Sequence, residues 1–257
     1  MNQKILGTIR DPKNGEELIP VYENKNEFLQ NNSGRKYPIR NNLICLLDKN
    51  ELSGNNKKYQ NLYDNFSRFY DLITHLTAWV KSGGERKRLM QYLSEIEIKD
   101  TDRVIEISIG TGRNIKYLNS NAEYYGVDIS LGMLDRCRRK MKKMKRQIVL
   151  LQSEAEFLPI TDNSFDVVFS AGGFNFFNDP GKAVLEMLRI AKSGTKLLIT
   201  DETEKLRAKY ERTKFGGDFY KTNKIKKPTD YLPEYCKNIE YKEICDGDLY
   251  VLTFTKP

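Results

Sequence analysis

Histidine is almost missing from this chain: there is one, His75, in 257 residues. No Ser/His/Asp or Cys/His catalytic set can form without that side chain, and a lone histidine on a helix is more often structural than catalytic. The four cysteines, Cys45, Cys137, Cys236 and Cys245, are scattered with no Cys-x-x-Cys spacing. That argues against a thiolate metal site and against a disulfide framework, and it fits a reducing cytoplasm. No apolar run is long enough to span a bilayer. The opening stretch MNQKILGTIR lacks the apolar core of a secretory leader. The phosphate-cradling Gly-x-x-x-x-Gly-Lys-Ser/Thr is absent as well.

Charge is plentiful. The chain carries 43 Lys and Arg against 35 Asp and Glu, a net charge of +8. Such an excess can favour nucleic acid or an anionic membrane, although a solvated surface is the preferred account. Its densest run is Arg136–Arg146, RCRRKMKKMKR. It is expected on a helix whose basic face points to solvent.

The most informative stretch is Val104–Gly112, VIEISIGTG. A β-branched run with an acid inside it ends in Gly-x-Gly, and helix-forming sequence follows. That order predicts a buried parallel strand, a tight turn and a helix N-terminus. Gly110 and Gly112 let backbone approach a ligand closely. The next predicted strand, 123–128, ends in Asp128, whose two oxygens suit a ribose diol. A dinucleotide fingerprint needs a third glycine, and Ile115 stands there instead.

Around this unit, strands are expected near 103–108, 123–128, 147–152, 165–170 and 195–201, with helices between them. This is a doubly wound α/β pattern. Ile239–Cys245 and Leu249–Phe254 flank Asp246-Gly247-Asp248 and predict a terminal antiparallel hairpin. Residues 1–50 read as a small β-rich module, with turns at Asp11–Gly15 and Asn31–Gly34. Residues 48–58 read as a polar linker. A helix is expected from Tyr59 to about Lys81, and a second from about Glu85 to Ile96.

Several segments follow one another in order: Glu-x-x-x-Gly-x-Gly at 106–112, Gly126-Val127-Asp128, Ser153–Pro159 and Asn163–Ser170. Together they resemble the class I S-adenosylmethionine-dependent methyltransferases, and within them the ubiquinone/menaquinone-methyltransferase-like group. The resemblance covers roughly residues 60–257. It implies a Rossmann-like sheet ending in an antiparallel hairpin, with a methyltransferase domain over 59–257 that begins with lid helices. It also implies S-adenosylmethionine as cofactor, no metal, and a small organic methyl acceptor.

The resemblance places Glu106 near the cofactor's amino-acid end. The turn Gly110-Thr111-Gly112 would lie beneath the cofactor, Asp128 and Ile129 at its ribose, and Met133, Glu154 and Ala155 at its adenine. Glu154 stands where the family usually has aspartate. Ser170 ends the fourth strand beside the site, and Tyr70 of the lid helix would face the cofactor. Tyr63, His75, Phe174, Asn175 and Phe176 are candidates for the acceptor pocket. Each has a plainer role as packing or surface.

The N-terminal module resembles the small zinc ribbons found beside methyltransferases, chiefly through Tyr37-Pro38-Ile39. The ribbon's ligand positions fall on Asp11, Asn14, Gln30 and Ser33, so no thiolate remains to hold zinc. A ribosomal-RNA methyltransferase and a non-catalytic cofactor-binding or partner-activating protein are the rival functions. A nicotinamide dehydrogenase is disfavoured by Ile115 and by the hairpin.

Overall fold

The computed structural model describes residues 3–47, 52–64, 84–119, 121–211 and 227–257. Its centre is the expected run of parallel strands. These are β5 (Arg103–Ile107), β6 (Glu123–Asp128), β7 (Val149–Gln152), β8 (Val167–Ala171) and β9 (Lys196–Glu202). They lie in the order β7-β6-β5-β8-β9 with parallel pairing throughout. Val104, Ile105, Ile107, Val168, Phe169, Leu197, Leu198 and Ile199 are fully enclosed. Near-continuous apolar strands of this kind need cover on both faces. One face carries α5 (Pro180–Ile190), whose Ala183, Val184, Met187 and Leu188 join the larger core. The other carries α3 (Glu85–Leu93) and α4 (Leu131–Lys143), which contribute Leu89, Tyr92, Leu93, Leu134, Cys137 and Met141. The fold is Rossmann-like, as expected.

The terminal hairpin is also present. Strand β11 (Leu249–Thr255) runs antiparallel to β9, and β10 (Lys237–Ile244) forms the edge beyond it. Cys245 and Asp246 take positive φ values of 53° and 56° beside Gly247 at 79°. Those conformations are the turn chemistry that the Asp-Gly-Asp signal implied.

At the other end the sheet continues into the N-terminal residues. β1 (Ile19–Glu23), β2 (Asn26–Gln30), β3 (Lys36–Arg40) and β4 (Leu43–Cys45) form an antiparallel meander. β4 then pairs in parallel with β7, which makes one sheet of eleven strands. Further ties run from the Arg10 amide to Pro159 O at 2.9 Å and from the Thr161 amide to Thr8 O at 2.9 Å.

Asp11 is the hub of the meander. Its buried carboxylate accepts from the Lys13 amide at 2.7 Å, from Asn31 Nδ2 at 2.8 Å and from the Tyr37 hydroxyl at 3.0 Å. These bonds tie together the two turns on which the expected ligand positions fall. The second turn contributes Asn31, the neighbour of Gln30. Among the described residues no group of three or more His, Cys, Asp or Glu side chains could hold a metal ion. Asp11→Ala would leave two buried donors without an acceptor. It is expected to destabilise the protein by about 2–4 kcal/mol, read by urea unfolding, whereas Asp11→Asn, which retains an acceptor oxygen, should cost less. Metal analysis of tag-free protein is expected to find far less than one zinc per chain. Stoichiometric, chelator-resistant zinc would contradict this account of the module.

Two expectations need correction. Residues 52–58 are not a free linker, because helix α2 already covers 54–64, five residues earlier than Tyr59. The Asn178 side chain accounts for the early start. Its Oδ1 accepts from the amides of Asn55 and Asn56 at 2.7 and 3.3 Å, so the helix's orphan donors are capped from a distant loop. The second correction concerns the segment after Gly112. It forms only a 3-10 turn, Asn114–Tyr117, and no α-helix. Asn114 is drawn beneath the strand instead, where its amide bonds Glu106.

Candidate functional site

At the carboxyl ends of β5, β6, β8 and β9 lies a cleft of about 330 Å³. This is where open α/β sheets bind ligands. Its floor is the turn after β5. Ser108, Gly110 and Gly112 all take positive φ, at 59°, 55° and 70°. The turn is tied to β6 by the Ile109 amide bonding Val127 O at 3.0 Å. A Cβ at Gly110 or at Gly172 would meet nothing within 4 Å, and both glycines line the cleft. A Cβ at Gly173 would lie 2.9 Å from the Ser108 side chain. Glycine there lets the loop after β8 close against the turn.

Asp128 joins these parts. One carboxylate oxygen accepts from the Gly110 amide at 2.8 Å and the other from the Ser130 amide at 2.9 Å. The carboxylate keeps acceptor capacity for a ligand hydroxyl. Burial pushes this carboxyl up to about 6, against the pull of the Ser130 and Gly110 amides.

Glu106 is fully buried one residue before the end of β5. Its Oε1 accepts from Asn114 Nδ2 at 2.6 Å, and Asn114 Oδ1 in turn accepts from the Tyr92 hydroxyl at 2.6 Å. Glu106 Oε2 has no partner. Burial raises the carboxyl to about 8, opposed by Asn114 and reinforced by the Asp128 charge.

Helix α2 straps the open side. Asn56, Gln60 and Asp64 recur every four residues, so they share one helical face. Asn56 Nδ2 donates to Glu154 Oε1 at 2.7 Å and to Glu156 Oε2 at 3.1 Å. Gln60 Nε2 donates to Ile129 O at 3.3 Å. Asp64 accepts from Ser130 Oγ at 2.6 Å and from the Gly132 amide at 3.0 Å, at the start of α4. Tyr59 packs on Phe176 with ring centroids 4.7 Å apart, and Tyr63 follows one turn later.

Of the residues singled out from sequence, Tyr63, Gly110, Asp128, Ile129, Met133, Glu154, Ala155 and Phe176 line this cleft together. Thr111 and Gly112 lie behind the turn. Thr111 is buried and accepts from Lys140 Nζ at 3.1 Å, and Gly112 packs against Cys137. Ser170 is wholly enclosed, and its hydroxyl has no partner. Phe174 turns inward onto Phe177 and Tyr231, and Asn175 bonds Glu202 O at 2.8 Å and faces the Tyr250 hydroxyl at 3.3 Å. Tyr70 and His75 lie outside the described residues.

Asp201 was not anticipated. It ends the apolar part of β9, is buried, and accepts from the amides of Gly173, Asn175 and Glu202 at 3.0, 2.9 and 2.7 Å. Burial pushes its carboxyl up to about 6, against those backbone bonds. It shapes the loop after β8 as Asp128 shapes the turn after β5. The signal was available, since an acid closing an apolar strand is the pattern that marked Asp128.

Known proteins resemble this chain over the region that holds these residues. Residues 105–199 match the family model described as a methyltransferase domain. The chain is 31% identical over 141 residues to the demethylmenaquinone methyltransferase of Renibacterium salmoninarum, covering 54% of this chain and 56% of that protein. It is 28% identical over 162 residues to the ubiquinone/menaquinone biosynthesis C-methyltransferase UbiE of Wigglesworthia glossinidia brevipalpis, covering 60% of this chain and 63% of the relative. The chain thus spans between half and two thirds of these relatives' length.

Among solved structures, it is similar to a methyltransferase from Thermotoga maritima described as a possible histamine N-methyltransferase. The TM-score is 0.58 at 23% identity, over 77% of this chain and 99% of that one. The [4+2]-cyclase SpnF gives a TM-score of 0.61 at 16% identity, over 78% and 95%. At those identities the likeness is one of fold. The expected resemblance to class I methyltransferases of the ubiquinone/menaquinone group is borne out.

Proposed function

We propose that this chain is an S-adenosylmethionine-dependent methyltransferase acting on a small organic acceptor in the cytoplasm. The observation that carries the reading is Asp128, bonded at once to the Gly110 amide and to the loop that opens α4, on the wall of the cleft. The residues present fit such a cofactor. Gly110 and Gly172 leave open space where a side chain would stand, and Glu106 Oε2 is a buried acceptor without a donor.

On this reading Asp128 holds the ribose hydroxyls. Glu154, Ala155, Ile129 and Met133 surround the adenine, and Glu106 serves the amino-acid end. Residues 1–50 form an accessory module. Residues 59–257 form the catalytic domain, with α2 running into it as a strap. When bound, the cofactor supplies a methyl group already activated by its sulfonium charge. The chain's own work is then to align the acceptor and exclude water, for which Tyr59, Tyr63 and Phe176 provide an aromatic wall.

The RNA reading is weakened by how the basic helix spends its charges. Arg138 and Arg139 pair with Asp135 at 2.7 Å. Lys140 bonds Thr111, and Arg146 bonds the carbonyls of Ile115 and Leu118. Incubation of the protein with methyl-labelled S-adenosylmethionine, a metabolite extract and total RNA tests the proposal. Label is expected in the small-molecule fraction. Label in RNA alone would transfer the assignment to the RNA class. Cofactor binding without any transfer would leave a non-catalytic binding protein.

A further inference from the structure

The cleft wall beyond β7 has no regular structure of its own. Ser153, Glu154, Ala155 and Glu156 all line the cleft, yet between Gln152 and Val167 the backbone makes only turns and isolated bridges. Backbone of this kind places a side chain precisely only when its neighbours fix it.

The N-terminal module supplies those neighbours at both ends of the segment. At its start the Gln152 carbonyl accepts from the Leu46 amide at 3.1 Å, just past β4. At its far end Pro159 O accepts from the Arg10 amide, and the Thr161 amide donates to Thr8 O, both at 2.9 Å. Between these two bonds Ile9 and Ile160, both buried, form an antiparallel bridge. Asn56 of α2 grips the middle through Glu154 and Glu156. Helix α5 holds the outer side, where Glu186 accepts from the Leu158 amide and Arg189 donates to Leu158 O.

The module's influence reaches the cleft itself. Burial raises the Glu154 carboxyl, and the Asn56 amide and the charge of Lys13 oppose the rise. Asp11, Pro12 and Lys13 share one turn, and with Phe157 and Leu158 they line a second cavity of about 370 Å³. Asp11, which holds that turn and the meander together, lies outside the ligand cleft.

We propose that residues 8–46 are a positioning element for the ligand site. They hold the segment after β7 in the conformation that presents Glu154 to a nucleoside base, and so set how well the protein recognises an amino group on that base. The base being adenine rests on the cofactor reading above. The bracing of the segment by the module does not. When only a fraction of molecules holds the competent conformation, apparent affinity falls by that fraction.

The test is calorimetry with S-adenosylhomocysteine and with its 6-deamino analogue, which keeps the purine shape but offers Glu154 no donor. The wild type should prefer S-adenosylhomocysteine about tenfold or more. In folded Asp11→Ala its affinity should fall about tenfold. The deamino analogue should change less than threefold, so the preference collapses. Asp11→Asn, which keeps an acceptor oxygen, should retain most of it. Equal weakening of both ligands would make Asp11 merely structural and overturn the proposal. So would a preference that survives in Asp11→Ala, or a wild type that binds both ligands equally.

A second measurement needs no variant, because coupling between two sites is reciprocal. At matched saturation S-adenosylhomocysteine should slow hydrogen exchange at the Arg10 and Asn31 amides more than the deamino analogue does. Equal protection would overturn the coupling. If the wild type binds neither ligand, the cofactor reading fails. Exchange across residues 153–158 then decides the brace by itself. Faster exchange in a folded Asp11 variant than in the wild type would support it, and unchanged exchange would overturn it.

Discussion

Asp128→Ala is expected to weaken S-adenosylhomocysteine binding about a hundredfold, the scale of a lost pair of charge-assisted hydrogen bonds. The alanine removes the ribose acceptor and also the link between the Gly110 and Ser130 amides. NAD should bind neither protein, since Ile115 occupies the third glycine position. The wild-type affinity should depend on pH with a definite sign. The Asp128 carboxyl is raised to about 6 by burial, and a ribose hydroxyl donates best to the ionised form. Affinity should therefore fall as pH drops through about 6 and level off above 7, and that pH step should be absent in Asp128→Ala.

Stability moves the other way. A carboxyl raised in the native state binds its proton more tightly folded than unfolded. Its contribution is present below the ordinary value of 3.8 and is lost as pH rises through about 6. Asp201 acts in the same window, and Glu106 extends it to about 8. Calorimetry from pH 5 to 8 on both proteins reads the binding step. Equal affinity in the two would remove Asp128 from the site.

The two glycines of the turn should separate stability from binding. Gly112 takes φ +70°, and a Cβ there would sit 2.6 Å from Cys137 Sγ and 3.3 Å from Met141 Cε. Gly112→Ala thus combines a left-handed backbone penalty with overpacking, at a cost of about 2–4 kcal/mol. Adding Cys137→Ala should recover the steric part and leave the backbone part. At Gly110 the φ is +55°, but a Cβ would meet nothing. Gly110→Ala should cost only about 1–2 kcal/mol, yet place a methyl group where the ligand would approach the turn. Cofactor affinity should drop tenfold or more. Denaturant unfolding paired with calorimetry checks both variants. If Gly110→Ala proves the less stable, or Gly112→Ala folds with unchanged stability, the geometry of the turn is misassigned.

Where function was legible in the sequence, the signal was local. The β-branched runs gave the five central strands to within two or three residues, because apolar strands buried on both faces have few other solutions. Asp246-Gly247-Asp248 gave the hairpin because left-handed turns accept few residue types. What escaped was settled by partners far along the chain. Asn56 looks like linker composition until Glu154 and Glu156, about a hundred residues away, meet its amide. The early start of α2 depends likewise on Asn178. Phe174 and Phe176 could not be told apart in sequence. The loop after β8 turns one inward to Tyr231 and leaves the other against Tyr59.

The parallel pairing of β4 with β7 has a consequence for the order of assembly. Leu43–Cys45 lies against Leu150–Gln152, so about a hundred residues separate the partners. During synthesis, at roughly 5–20 residues per second, the meander leaves the ribosome many seconds before β7 exists. Its last strand must wait with one edge unpaired. Its brevity, three residues, limits what that edge can recruit meanwhile. Asp11, Asn31 and Tyr37 all belong to the early segment, so their hydrogen bonds can close before the core is made. The meander can then persist as a local fold until the Rossmann-like sheet arrives to receive it.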